Sequence, residues 1–518
     1  MDRPCPVHAQ SVRYCRCKAF VPAYLQNLFV FHANQDYLYP FPVFCYLSLP
    51  GASGVSAAAV HGTPAQIRQA TWATRSLFAA LGVLSAAWGV HIPSVKAHYG
   101  LGEGALSLVL VAAASGAVLA LFFAGRVIGR LGARNAAALC ALVMAFSLGM
   151  ALQWPSFALL LLSMVVFGSS LSVYDVAINT EGSALETAGG KPIMGGLHGM
   201  FSVGGMAGAA LAAGLLRAGV PAPWQLTAVG VGMAAWVVLG SRWMLPTAPD
   251  TEASAQKPHF AWPRGALLVI GLLIFAGMSA EGVMYDWCVL YLQQEVGMPQ
   301  AQAALGYAAF SGAMATMRFV ADGLRARFSE QRLLRASGTT TALAMAVVLL
   351  SGSPWVSLLG YACIGAGLAM VVPILYGAAS RVPGTTPAAA IAAVSSIGYS
   401  GFMIGPPLIG GIAQHASLTV AMGVVVVAAT ILALSARYVP EKPEWGGDAY
   451  LRDDRTMPET MSTNATPWYR RGGSPKNRDE SSAVNRGVRL IKKPATAGPA
   501  RDTPAPQEPY AITAGPTA

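Results

Sequence analysis

Only 11% of this 518-residue chain is Asp, Glu, Lys or Arg, against roughly 25% in ordinary soluble domains. The few ionisable residues inside apolar runs are therefore the places where chemistry can happen. Glu281 lies about sixteen residues into the run 265–290, roughly 24 Å along a helix and past its midpoint, with Asp286 and Trp287 about one turn further on. A carboxylate in such surroundings must be paired, protonated or open to water. That suits it to carry a proton or hold a polar solute; the alternative is a structural hydrogen bond at a helix bend. Asp175 and Asn179 are one turn apart near the end of the run 156–179, and His198 opens the next run from the same side. A carboxylate, an amide and an imidazole can converge there, either to bind a solute or to tie two helices together.

A second group of residues suits gating. The loop GRVIGRLGAR at 125–134 carries Arg130 and Arg134 around a tight glycine turn, either as simple topogenic charge or as a latch. Its counterpart later in the chain, RFVADGLRAR, sets Arg318 and Asp322 four apart on one helix face. That spacing allows an intrahelical pair, or a latch between helices. Shifting the chain by 193 residues lays Gly125 on Arg318, Trp88 on Glu281, Gly205 on Gly398 and Gly208 on Gly401. Trp88 and Glu281 are thus expected either to face one central cavity or, for Trp88, to anchor a helix at the membrane surface. Gly204 with Gly208, and Gly401 with Gly405, place small residues one turn apart for close helix packing.

The elements that must position these residues are membrane spans. Twelve apolar runs are long enough to cross roughly 30 Å of hydrocarbon: 73–94, 104–125, 135–153, 156–179, 195–217, 223–245, 265–290, 303–324, 332–352, 354–378, 388–413 and 416–437. The expected fold is all-α membrane, with twelve transmembrane helices in two pseudo-repeated six-helix bundles, 72–245 and 265–438, joined by a polar linker at 246–264. Alternate loops hold twelve Lys and Arg while the opposite set holds only Lys96 and Arg217, so both termini are expected in the cytoplasm of an inner membrane. Residues 439–518 read as a disordered tail. Residues 1–71, aromatic but broken by prolines, read as an atypical and dispensable extension.

Several function classes are disfavoured. The net charge of +11 sits mostly in short loops and tails, where it sets orientation rather than binding nucleic acid. Cys5, His8, Cys15 and Cys17 match no common zinc spacing, and no metal or other cofactor is expected. The chain has no Gly-x4-Gly-Lys-Ser/Thr phosphate loop and no HExxH or GxSxG string, so neither ATP-driven pumping nor an embedded enzyme is expected.

Gly125, Arg130, Gly132 and Arg134 resemble the loop signature of the major facilitator superfamily, although Gly129 occupies the aspartate position of that signature. The strings DVAINTEGSALETAGGKPIMGGLHGMFSVGGMAGA (175–209), WGVHIPSVK (88–96), EGVMYDW (281–287) and GYSGFMIGPPLIG (398–410) resemble the branch that includes the membrane proteins MosC and YbjJ. The resemblance implies a monomeric secondary transporter that moves a small solute by alternating access, with proton coupling as the economical expectation and Glu281 or Asp175 as carrier. The alternative is a non-transporting membrane sensor or assembly factor.

Overall fold

The computed structural model describes residues 63–246 and 264–440. The first 62 residues, most of the linker and the tail, together with the Cys5, His8, Cys15 and Cys17 cluster, lie outside the described residues. Among the described residues the elements are helical: α1 (Pro64–Tyr99), α2 (Glu103–Met150), α3 (Phe157–Gly189), α4 (Met194–Arg217), α5 (Ala222–Gly240), α6 (Ala266–Gln294), α7 (Gln300–Arg327), α8 (Glu330–Ser351), α9 (Pro354–Leu368), α10 (Val371–Ala379), α11 (Pro387–His415) and α12 (Leu418–Ser435).

Helix boundaries follow local chemistry. The Thr63 hydroxyl accepts the Gln66 N–H while the Gln66 side chain takes the Thr63 N–H, and Pro64 stands where its missing N–H costs nothing. This capping box starts α1 at Pro64, so residues 64–71, expected to belong to the extension, are the first two turns of α1. At α3, α8, α11 and α12 the hydroxyls of Ser156, Ser329, Thr386 and Ser417 each accept a backbone N–H three residues on, without the reciprocal bond. Pro373, which has no N–H to give, follows the break between α9 and α10, so those two elements make up the single run expected at 354–378.

Among the described residues, ten helical stretches are long and apolar enough to cross a membrane. One of them, α2, has 48 residues, about 72 Å at the rise of a helix, and Gly132 with φ 76° divides it into two span-length pieces. The positive φ is cheap only for glycine. The 28-residue α7 is not among the ten because it is more polar, as suits a helix that faces polar partners inside the bundle. With α2 divided and α7 added, the described residues supply the twelve expected segments.

The outer surface is apolar: Leu350 is 87% and Trp355 81% exposed, with Leu119, Phe122, Phe146, Leu359 and Leu434 also outward. Apolar side chains on the outside and satisfied backbones within are what lipid demands. Helices α1–α5 pack chiefly on one another and α6–α12 likewise, while α4 on α7, α2 on α11 and α1 on α6 join the two sets. Glycines allow the tightest crossings. A Cβ on Gly204 of α4 would collide with the Ala79 carbonyl of α1, and one on Gly168 of α3 with the Ala113 carbonyl of α2.

Candidate functional site

Glu281 sits near the middle of α6 and is buried. Its partner is Arg318 of α7, whose Nη2 lies 3.1 Å from Glu281 Oε1. The other terminal nitrogen, Nη1, donates to Ser202 Oγ of α4 at 2.8 Å and to the His198 carbonyl at 3.3 Å. One guanidinium thus joins α4, α6 and α7, two of which belong to one set of helices and one to the other. The approach depends on the small face of α4: a Cβ on Gly199 would stand 2.7 Å from the Phe319 ring, and one on Gly205 3.0 Å from Ser311 Oγ. Ser202 lies between them on that face, fully buried.

Of the two arrangements that the Arg318–Asp322 spacing allows, the intrahelical pair is not formed among the described residues. The ion pair that Arg318 makes among the described residues is with Glu281, while Asp322 is exposed at the helix end. An exposed pair gains little in water, whereas two charges in low dielectric attract strongly, so the longer reach wins. Glu281 is accordingly paired with a cation.

On the side of this pair toward Lys96 and Glu103, aromatic rings and hydrogen bonds join the helices. Tyr285, one turn beyond Glu281, has its ring 5.4 Å from that of Tyr307, 5.2 Å from Phe310 and 6.2 Å from Phe201. Tyr285 lies within electrostatic reach of both Glu281 and Arg318. Further toward that end, Gln300 Nε2 of α7 donates to the Val90 carbonyl and to Ser94 Oγ of α1, at 2.8 and 2.9 Å. Where α1 ends and α2 begins, Lys96 Nζ lies 2.8 Å from Glu103 Oε1, and that hydrogen bond holds the Glu103 carboxyl below its ordinary range.

The remaining candidates separate into distinct places. Asn179 Nδ2 donates to Asp175 Oδ1 at 3.0 Å, and Asp175 is in electrostatic contact with Tyr376 of α10 and Tyr399 of α11. His198 does not complete a trio with them: its ring stacks edge-on against Phe78 of α1 at 5.4 Å. Its rotation on α4 points it at α1 while its carbonyl serves Arg318. Trp88 is buried with its ring 6.2 Å from Phe167 of α3, and its described ring partner is therefore not on α6. Asp286 lines a cavity of about 10 Å³ between α6 and α11, with Ser279, Trp287, Gly401 and Pro406.

The arginine loop also divides. Arg134 donates to the Met244 carbonyl, and Glu181 Oε1 accepts the Leu245 N–H at 2.6 Å. Arg134 therefore fastens α2 to the end of α5 within one set of helices, while Arg130 is exposed. In the other set Glu330, only 3% exposed, takes Arg325 at 3.4 Å and Arg381 as well. Ser202, Glu181 and Glu330 were not singled out from the sequence. Glu330 opens α8 behind a Ser329 cap and could have been noticed there; Ser202 and Glu181 carry no such signal.

An all-helical bundle with an apolar exterior, a buried charge pair at mid-depth and two helix sets joined at a few crossings defines a polytopic membrane transporter. The sequence pattern of the Major Facilitator Superfamily matches residues 76–399, and the chain belongs to that superfamily, in the MosC-like branch. It is 32% identical to an uncharacterised MFS-type transporter of Yersinia pestis over 71% of this chain and 94% of that protein. Membrane protein MosC of Rhizobium meliloti is 30% identical over 68% of this chain and 86% of that one. Among solved structures, a D-xylose-proton symporter superposes with TM-score 0.59 at 14% identity, covering 72% of this chain and 97% of that one, which is a likeness of fold. The family is one of secondary transporters of small solutes, not of enzymes, and the protein is integral to a membrane.

Proposed function

We propose that the protein moves a small solute across an inner membrane by alternating access and couples that movement to protons, with Glu281 as carrier and Arg318 as its counter-ion. The observation that carries this reading is the Arg318–Glu281 contact at 3.1 Å in the middle of the bundle, made within one helix set by a guanidinium that also holds Ser202 and the His198 carbonyl of the other. Separation of the sets takes Ser202 and the His198 carbonyl away from Arg318, and when the freed guanidinium turns from Glu281 the carboxylate is destabilised in low dielectric and takes up a proton. When the sets close, the arginine returns and the proton leaves. Alternating access is supported by contacts between the two helix sets on the Lys96 side of the pair, the Phe201–Tyr285 ring contact and the Gln300 hydrogen bonds to Val90 and Ser94. A fold neighbour described as a D-xylose-proton symporter is consistent with proton coupling.

The test uses purified protein in proteoliposomes, with transported solutes found from a panel of sugars, amino acids, organic acids and inositol derivatives. Glu281→Gln keeps the shape of the side chain and removes its titration. Accumulation driven by a pH gradient is expected to vanish in this variant while solute exchange persists, because exchange needs rocking but no net proton movement. Gradient-driven accumulation at the wild-type rate would reject Glu281 as carrier and turn attention to Asp175, through Asp175→Asn.

A further inference from the structure

Resting on that reading, we propose that the solute is an anion carrying a carboxylate, which takes the place of Glu281 on Arg318 when Glu281 is protonated.

The argument is one of charge balance at a buried site. Arg318 cannot lose its proton, and among the described residues its polar contacts besides Glu281 are two neutral oxygens, Ser202 Oγ and the His198 carbonyl. The titratable groups in reach of the pair are Tyr285 on α6, His198 on α4 and Tyr307 on α7. Two phenols and an imidazole supply no negative charge at neutral pH. Asp322 on α7 is exposed to water. Asp286 lines the cavity toward α11, and Asp175 is engaged with Asn179 on α3. Glu281 is therefore the carboxylate that balances this guanidinium, and protonating it leaves a net positive charge in the interior. An uncompensated buried cation is strongly unfavourable. A neutral solute would leave that charge in place, and a cationic one would double it. A monoanion cancels it: Glu281⁻ with Arg318⁺ is neutral, and so is protonated Glu281 with Arg318⁺ and the anion.

The class of anion follows from the geometry the arginine already accepts. A planar guanidinium fork matches a carboxylate, and the group displaced is itself a carboxylate. The pair also remains reachable, with side-chain exposures of 16% for Arg318 and 12% for Glu281, in contrast to the fully buried Ser202 behind it. One proton carried with one monoanion moves no net charge, so transport should respond to a pH gradient and not to membrane voltage.

Acetate, the smallest carboxylate, serves as probe, with acetamide as its neutral counterpart and inorganic phosphate as the competing anion. Thermal unfolding of the full chain is followed as each is titrated into the wild type, Glu281→Gln and the double variant Glu281→Gln/Arg318→Gln. Acetate is expected to raise the melting temperature of Glu281→Gln saturably and independently of pH, with no response to acetamide and none in the double variant. In the wild type, apparent acetate affinity should fall as pH rises, by about tenfold per pH unit where one proton is taken up with each acetate, which carries the test should Glu281→Gln fail to fold. An equal response in the double variant, equal stabilisation by acetamide, tighter binding of phosphate, or no response to acetate in the Gln variant would overturn the proposal. Acetate binding that depends on Arg318 but not on pH in the wild type would keep the anion site and remove Glu281 as proton carrier, so the two readings fail separately.

Discussion

Arg318 and Glu281 meet at 3.1 Å from neighbouring helices, 37 residues apart in sequence, and the same guanidinium holds Ser202 on a third helix. Removing one member of a buried pair leaves the other charge uncompensated, which typically costs about 3–5 kcal/mol, whereas removing both costs far less. Arg318→Gln should therefore lower the melting temperature more than the Arg318→Gln/Glu281→Gln double variant. A double variant as unstable as the sum of the two single ones would mean that the pair is not coupled in solution.

The cluster around Glu330 makes a different prediction. One buried carboxylate serves both Arg325 and Arg381, joining the ends of α7, α8 and α10. Glu330→Gln strands two cations at once and should cost about 3 kcal/mol or more, while Arg381→Gln leaves Arg325 in place and should cost less. Fluorescence-detected gel filtration after graded heating ranks the two; the opposite order would show that Arg381 has a role besides neutralising Glu330.

What the sequence revealed, and what it hid, follows from the range of the interactions. The spans were legible because lipid imposes a long apolar run on each, and Glu281 was legible as a carboxylate interrupting such a run. The start of α1 was encoded in Thr63, Pro64 and Gln66, three neighbours whose capping pattern is local. The partner of Glu281 was not legible: Asp322, four residues from Arg318, is the nearer choice along the chain, and only the packing of α6 against α7 decides otherwise. The ring partner of His198 was hidden for the same reason, since its rotation toward Phe78 depends on how α4 meets α1. The partner of Arg134 is a backbone carbonyl, which any residue supplies and no pattern marks.

Close helix crossings should be intolerant of added bulk. Gly204 and Gly168 face main-chain carbonyls rather than flexible side chains, so the obstruction cannot swing aside. Gly204→Val and Gly168→Val should each cost at least the roughly 1–3 kcal/mol of an overpacked core and reduce the yield of monodisperse protein. Gly125 has no neighbour near a would-be Cβ, and Gly125→Ala should be indistinguishable from wild type in the same gel-filtration assay. Equal behaviour of Gly204→Val and Gly125→Ala would refute the close approach of α4 to α1.

The Lys96–Glu103 pair between the end of α1 and the start of α2 supplies a pH-dependent prediction whose sign is fixed. Lys96 lowers the folded-state titration of Glu103 below its unfolded value, so the unfolded chain binds the proton more readily. The pair therefore contributes stability that is fully present above the unfolded carboxylate value and is lost as pH falls through the folded one. With side chains 16% and 28% exposed, solvent screening should hold the contribution to less than about 1 kcal/mol. Glu103→Gln should melt slightly below the wild type at neutral pH, with the difference shrinking in acid and again in high salt. A difference that stays constant across the acid range would mean that the carboxylate acts through packing or helix capping, and that the ion pair with Lys96 contributes nothing measurable.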